Sequence, residues 1–253
     1  MCNEIKEFNG IKYREDNNEI TITGYLGMDE NLNIPSEIDG KKVIGIEDKT
    51  AAWSSALKSI IIPNTVTKIE GSVLMNCKDL VSIKVDENNK NYADKDGVLF
   101  SKDEKALIKY PRKKKGFSYV IPNTVTSIES SAFYNSRLRK ITIPSGVVSI
   151  GDYAFDRSKL EQITIPDTVM NIGENALKNC ESLFNIKVDE NNKNYAGKGG
   201  VLFSKGEKVL IKYPKGKMEK GYVIPDTVTR IEDWAFYDSN LMLIENSDKV
   251  TEI

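Results

Sequence analysis

The sequence predicts a repeat solenoid, mainly β with short helical turns, in which parallel strands stack one per coil. Three observations predict it. The dipeptide Ile-Pro recurs at Ile34, Ile62, Ile121, Ile143, Ile165 and Ile224, with two successive spacings of 22 residues. A strand-like pattern, Leu-x-x-Ile-x-Ile or Val, recurs as Leu57-Ile60-Ile62, Leu80-Ile83-Val85, Leu138-Ile141-Ile143, Leu160-Ile163-Ile165 and Leu183-Ile186-Val188. A longer period overlies both: residues 85–111 return at 188–214, an offset of 103, with 23 of 27 positions identical. Self-similarity at such periods marks stacked coils that bury their apolar faces only against neighbours.

The elements follow in chain order. Residues 1–33 differ from the repeats, and Ile11-Lys12-Tyr13 and Ile20-Thr21-Ile22 read as strands around a polar turn from Glu15 to Glu19. They are expected to form an atypical capping layer. Residues 34–245 form the solenoid. In each unit the closing Ile-x-Ile alternates with period two, as a strand with one buried face does. The proline that follows lacks a backbone donor and stops the strand. Val-x-x-Ile then lays a second apolar edge (Val66 with Ile69, Val125 with Ile128, Val147 with Ile150), and a small-large pair such as Ala132-Phe133 or Ala154-Phe155 plugs the interior.

Coils at 86–120 and 189–223 are elaborated, with Gly-Val-Leu-Phe-Ser and Leu-Ile-Lys-Tyr-Pro as strands joined by a hairpin turn. The duplicated block spans about four coils. No segment reads as a linker, so one continuous solenoid with one continuous sheet is expected. Over 246–253 the pattern fades, because Glu245-Asn246 replace the apolar end and Ile-Pro; the segment is either a polar cap or a cut from a longer protein.

Composition narrows the function. A formal net charge of -1 is unlike the basic face of a nucleic-acid binder. No stretch approaches the roughly 18–20 apolar residues of a membrane helix. The start, MCNEIKEFNG, carries no basic region and no apolar run, so the chain is either cytoplasmic or lacks a leader removed earlier. Cys2 reads as an ordinary terminal residue or as a lipidated one. With no histidine in the chain, Ser-His-Asp and Cys-His nucleophile systems and the commonest zinc sites are excluded. No cofactor and no metal site are expected.

The combined pattern Ile-Pro-x-x-Val-x-x-Ile-x-x-x-Ala-Phe-x-x-(Cys/Ser)-x-x-Leu-x-x-Ile-x-Ile resembles the BspA-like leucine-rich repeat, also called the Treponema pallidum type. Ile121 to Ile143 matches almost every position, and the opening coil at 34–46 also fits. Departures are Val73-Leu74 in place of Ala-Phe and the irregular segment from Thr50 to Trp53. The resemblance implies a right-handed leucine-rich-repeat superhelix in a cell-surface or secreted protein of a host-associated bacterium, often engaged in adhesion to host proteins.

The expected function is a non-catalytic binding scaffold whose partner is a protein, of host or extracellular-matrix origin, with a glycan as a further possibility and no nucleic acid. The alternative is a structural spacer displaying another module; a third reading, a carboxylate-based glycan-active enzyme, requires two carboxylates roughly 5–10 Å apart in a concave pocket. The oligomeric state is open. The residues between the buried strand positions face outward and are the candidate site: Ser59 and Ile61, Ser82 and Lys84, Lys140 and Thr142. The series continues with Gln162 and Thr164, Asn185 and Lys187, and then Leu243 and Glu245. That face is polar and mildly basic and lacks the aromatic anchors usual in interfaces.

Other features read as structural. Asp86 to Asp96 does not fit the EF-hand spacing, and its twin carries Gly197 and Gly199 in place of Asp94 and Asp96. The basic run Arg112 to Lys115 is either a patch for acidic polymers or, the favoured reading, a solvated loop. Tyr92, Phe100 and Tyr110 have partners in Tyr195, Phe203 and Tyr213; the phenylalanines pack inward, and the tyrosines are core with a tethered hydroxyl or a binding rim. Cys77 and Cys180 lie about four coils apart, far beyond the ~7 Å limit for a disulfide at ~4.8 Å per strand.

Overall fold

The computed structural model describes residues 4–47, 52–70, 73–237 and 239–253. Cys2 and, of the irregular segment, Thr50 and Ala51 lie outside them. The chain forms two compact units, Met1–Lys115 with Glu129–Phe133, and Gly116–Ile128 with Tyr134–Ile253.

The first unit opens with three antiparallel strands, Ile5–Phe8, Ile11–Asp16 and Glu19–Tyr25. Asn17 and Asn18 make the second turn at φ 49° and 65°, the left-handed region that asparagine tolerates. Glu19–Tyr25 then pairs in parallel with Lys41–Ile46, which carries the antiparallel Glu37–Ile38 on its other edge. Beside this sheet, Asn31–Asn33, Ser59–Ile62 and Ser82–Val85 form a parallel ladder in strict register, Leu32 on Ile60 and Ile60 on Ile83. Those three side chains are buried in one core that also takes Val66, Val73, Leu74 and Cys77.

The second unit repeats the arrangement with more coils. Ser118–Val120, Lys140–Thr142, Gln162–Ile165 and Asn185–Val188 form one parallel ladder. A second ladder runs beside it, built from Ser127–Ile128, Ser149–Ile150 and Asn171–Ile172. Each regular coil therefore carries the expected strand plus a two-residue strand at Val-x-x-Ile. Val125, Val147, Ile163 and Ile186 are all buried.

Between the ladders the chain turns without helix: among the described residues there are strands, turns and bends only. The physical reason lies in the turns. The carbonyl of each strand-ending proline accepts from the valine three residues on, as in Val125 N to Pro122 O (3.1 Å) and Val228 N to Pro225 O (2.9 Å). The following backbone groups then bond to the neighbouring coil, as Met170 N does to Val148 O (2.8 Å) and Phe155 N to Ala176 O (2.8 Å). Backbone groups used between coils are not available for a helix.

The single sheet expected from the repeats is interrupted. Each elaborated coil is a three-stranded antiparallel meander: Tyr92–Lys95, Val98–Ser101 and Ala106–Lys109 in one copy, and Tyr195–Lys198, Val201–Ser204 and Val209–Lys212 in the other. Its first turn, Asp96-Gly97 or Gly199-Gly200, has both residues at positive φ. That turn docks on the preceding strand, where Gly97 O accepts from Ile83 N (3.0 Å) and Gly200 O from Ile186 N (3.0 Å). A Cβ on Gly97 would lie 2.6 Å from Ser82 Oγ, so glycine is required by contact as well as by φ. The hairpin tip thus occupies the edge on which another parallel strand would have paired.

An asparagine keys each meander into the stack. Asn89 is fully buried and donates through Nδ2 to Pro63 O (2.8 Å) and Val66 O (3.0 Å), while Oδ1 accepts from Asn91 N and Tyr92 N (both 2.9 Å). Asn192 makes the equivalent four bonds to Pro166, Val169, Asn194 and Tyr195. Both donors and both acceptor sites are satisfied, as a buried amide requires. Among the described residues no helix is long and apolar enough to cross a membrane.

The strand register makes a direct prediction. Ile141 is 6% exposed whereas Lys140 beside it points outward. Ile141→Asp is expected to cost about 3 kcal/mol or more, by placing a charge in an apolar core, and Lys140→Ala no more than about 0.5 kcal/mol. Urea denaturation of both variants checks this; the reverse order would mean that the faces are inverted.

Candidate functional site

The outward positions fall into rows set by strand pairing. In the first unit Asn31, Ser59 and Ser82 form one row and Asn33, Ile61 and Lys84 the next. Ser59 and Ser82 are half-buried, and Ser59 Oγ bonds Asn31 Oδ1 at 2.6 Å. Ile61 is exposed, and Lys84 is exposed but held by Asp94 at 3.1 Å. In the second unit Lys140, Gln162 and Asn185 lie in register, as do Thr164 and Lys187. Lys140, Thr142, Gln162, Thr164 and Lys187 are exposed and Asn185 is half-buried. Leu243 and Glu245 are exposed on Leu243–Glu245, which pairs with Gly221–Val223 apart from the main ladder.

Three residues of this face escaped the sequence reading. Val120 pairs with Thr142 and is 68% exposed. Phe117, just ahead of the same strand, is 62% exposed, and the Arg139 guanidinium sits 5.3 Å from its ring centroid. Arg139 N donates to Phe117 O at 2.8 Å, fixing the pair at the ladder's edge. The cation–π contact holds the two side chains together by about 0.5–1 kcal/mol. The period-two rule that placed Thr142 and Thr164 outward applies equally to Val120 before Ile121-Pro122. It was missed because this strand follows an elaborated coil and lacks the Leu-x-x-Ile lead.

A second feature lies at the turns. Ser131, Tyr153, Asn175 and Trp234 each precede the small residue of the plug pair, and each has φ between 55° and 62°. For tyrosine and tryptophan that conformation costs on the order of 1–2 kcal/mol. The fold fixes it from beneath: the buried Lys212 donates to Trp234 O (3.0 Å), and Lys109 makes the same bond to Ser131 O (3.1 Å). Trp234 is 53% exposed, packs edge-on to Tyr237 at 5.1 Å, and has the Lys178 ammonium 4.4 Å from its ring centroid.

Beside it opens a cleft of about 490 Å³ with Ile172, Tyr195 and Ile211 in its wall and Glu174, Glu232 and Asp233 along it. Asp156, whose carboxyl burial pushes above its ordinary range, does not line this cleft and accepts from Asn179 at 2.9 Å instead.

The elaborated coils spend their polar groups internally. Asp86 Oδ1 accepts from Asn88 N and Asp94 Oδ1 from Val85 N (2.9 and 2.8 Å), and Asp96 is a turn residue. The carboxylates of Asp86 and Asp94 thus serve the backbone, and Asp94 also holds Lys84. In the basic run, Lys113 pairs with Asp79 (3.0 Å) and Lys114 donates to Asp96 O, so only Lys115 is fully exposed. The hydroxyls of Tyr92 and Tyr195 accept from Ile69 N and Ile172 N (2.8 and 2.9 Å), which tethers two half-buried rings. Phe100 and Phe203 are buried, as are Tyr110 and Tyr213, whose hydroxyls burial pushes up to about 12. Cys77 and Cys180 are buried thiols that form no disulfide with each other.

Comparison with known proteins agrees with this architecture. A family model for the BspA type leucine rich repeat region matches six copies, over residues 26–96, 113–201 and 215–253. The fold is similar to a leucine-rich repeat protein from Eubacterium ventriosum ATCC 27560 (TM-score 0.63, 28% identity, covering 85% of this chain and 55% of that one). It is similar also to a leucine rich cell surface protein from Faecalibacterium prausnitzii A2-165 (TM-score 0.60, 25% identity, 99% of this chain and 72% of that one). The pneumococcal vaccine antigen PcpA shares the fold (TM-score 0.55, 22% identity, 98% of this chain and 65% of that one). The chain spans just over half the length of the first of these. No protein with a curated description matches.

The cysteines supply a test of the packing. Burial raises the Cys180 thiol to about 11, so about one molecule in a thousand is thiolate there at pH 8. A thiol reagent at pH 8 should leave Cys180 and Cys77 unmodified in the folded chain and label both in denaturant. Fast labelling of either in the native state would mean that its corner is open.

Proposed function

Because the chain belongs to the BspA-type leucine-rich repeat family, we propose that it is a non-catalytic binding scaffold, displayed at a bacterial cell surface or secreted, whose partner is an extracellular protein. The surface assigned to that partner is the outward ladder of the second unit, with Lys140, Thr142, Gln162, Thr164, Asn185 and Lys187 as its polar field. One observation carries the assignment: Phe117 and Val120 stand more than half exposed at the edge of that field, with Arg139 held against Phe117. An aromatic and an arginine beside polar, β-branched positions is the composition of interface anchors. The absence of histidine and the internal use of the loop carboxylates both favour binding over catalysis. The cell-surface description of the Faecalibacterium protein supports the location.

The test is surface binding of the purified chain to a panel of extracellular-matrix proteins. Saturable binding to at least one is expected, weakened about tenfold or more by Phe117→Ala or Arg139→Ala. Binding that ignores both substitutions would place the interface elsewhere. Failure to bind any matrix protein would favour a structural spacer.

A further inference from the structure

The two copies of the duplicated block agree at most packed positions and differ mainly at the surface, with a cluster of differences around one cleft. Across residues 85–111 and 188–214, 4 of 27 positions differ. Around the cleft beside Trp234, 5 of the 9 lining residues differ from their counterparts 103 positions earlier. Gly173, Glu174 and Asn175 stand where the first block has Glu70, Gly71 and Ser72, and Asp233-Trp234 stand where it has Ser130-Ser131. The apolar wall is unchanged: Ile172, Tyr195 and Ile211 match Ile69, Tyr92 and Ile108. Adjoining the cleft, Ala176 replaces Val73, and a pocket of about 60 Å³ stands against about 10 Å³ for the equivalent in the first block. The second copy has therefore moved one rim carboxylate by a residue, from the position of Glu70 to Glu174, and gained a further carboxylate at Asp233 and an exposed indole at Trp234.

We propose that this cleft is a binding site for a short neutral oligosaccharide. Its volume lies within the roughly 300–1,000 Å³ of small-molecule sites. Trp234, Glu174 and Asp233 are all exposed to a ligand, and among the described residues neither Glu174 nor Asp233 forms an ion pair. Charge selects the ligand class. A cationic group would approach an indole already covered by Lys178 at 4.4 Å, and an anionic one would meet Glu174, Glu232 and Asp233. A neutral polyol suffers neither repulsion. Its C–H face packs on the indole, its hydroxyls donate to the carboxylates, and the Asn175 amide adds a donor and an acceptor. Lys178 lines the smaller adjoining pocket and not the larger cleft. This site is separate from the strand-face surface, and each can fail without the other.

The test titrates the full chain with cellotetraose, maltotetraose, chitotetraose and mannotetraose up to about 10 mM. Calorimetry and intrinsic fluorescence are read together, because Trp53 is buried and Trp234 is the exposed reporter. At least one tetrasaccharide should bind saturably and shift the emission to the blue. Trp234→Ser, which restores the first block's residue, should weaken it at least about tenfold, as should the paired Glu174→Gln and Asp233→Asn, while Phe117→Ala leaves it unchanged. The near-isosteric carboxamide pair keeps the test valid if the serine variant folds poorly. No binding of any of the four to the wild-type chain would overturn the proposal, as would binding unaffected by both sets of variants. Binding only of a lysine-rich peptide or a sulfated glycan would overturn it too.

Discussion

A coil of this chain cannot satisfy itself. Its strand is two to four residues long, its turns close with single hydrogen bonds, and its isoleucines and valines cover only one layer of core. Backbone groups and apolar side chains alike are completed by the coil above and the coil below, so stability is set by nearest neighbours. Anything inserted into such a stack has to present the same edge that a regular coil would. The meanders meet that condition at two points. A glycine carbonyl takes the place of the next strand's acceptor at Ile83 or Ile186, and a buried asparagine supplies the donors that the preceding turn's carbonyls need.

That constraint sorts the molecule into positions that can change and positions that cannot. The asparagines, the docking glycines and the tethered tyrosines are the same in both copies. Asp94 can become Gly197 because it caps Val85 N from the solvent side, and Asp96 can become Gly199 because the turn asks only for positive φ. Freedom is greatest where side chains leave the stack, at the outward strand positions and at the left-handed turn residue before the plug pair. Both surfaces assigned to ligands lie there. Function in such a fold is written on residues that the packing does not need.

Much of this was legible in the sequence. Ile-Pro spacing, period-two alternation and the 103-residue offset report contacts within a coil and between identical neighbours, and most of the apolar residues they named are buried, with Ile69, Val85 and Val188 half-buried. The outward face was legible for the same reason, since Lys140, Thr142, Gln162 and Thr164 follow from the register of Ile141 and Ile163. What escaped depends on contacts between unlike segments. Tyr92–Lys95 reads as a polar loop because only Asp96-Gly97, a two-residue hairpin turn, reveals its pairing with Val98–Ser101. The two-residue strands at Val-x-x-Ile are too short to announce themselves and exist only as ladders between coils. Trp234 is an ordinary tryptophan in the sequence; its left-handed backbone and its cleft arise from the turn and the meander around it.

If nearest-neighbour satisfaction holds the stack together, the meanders are structural members rather than appended loops. Native-state hydrogen exchange tests this most directly, by following the Ile186 and Tyr195 amides, bonded to Gly200 O and Asn192 Oδ1, beside that of Ile163 in the regular ladder. The account predicts that all three are protected to a similar degree and open together as denaturant is added. Exchange at Ile186 and Tyr195 that is orders of magnitude faster, with Ile163 still protected, would contradict it.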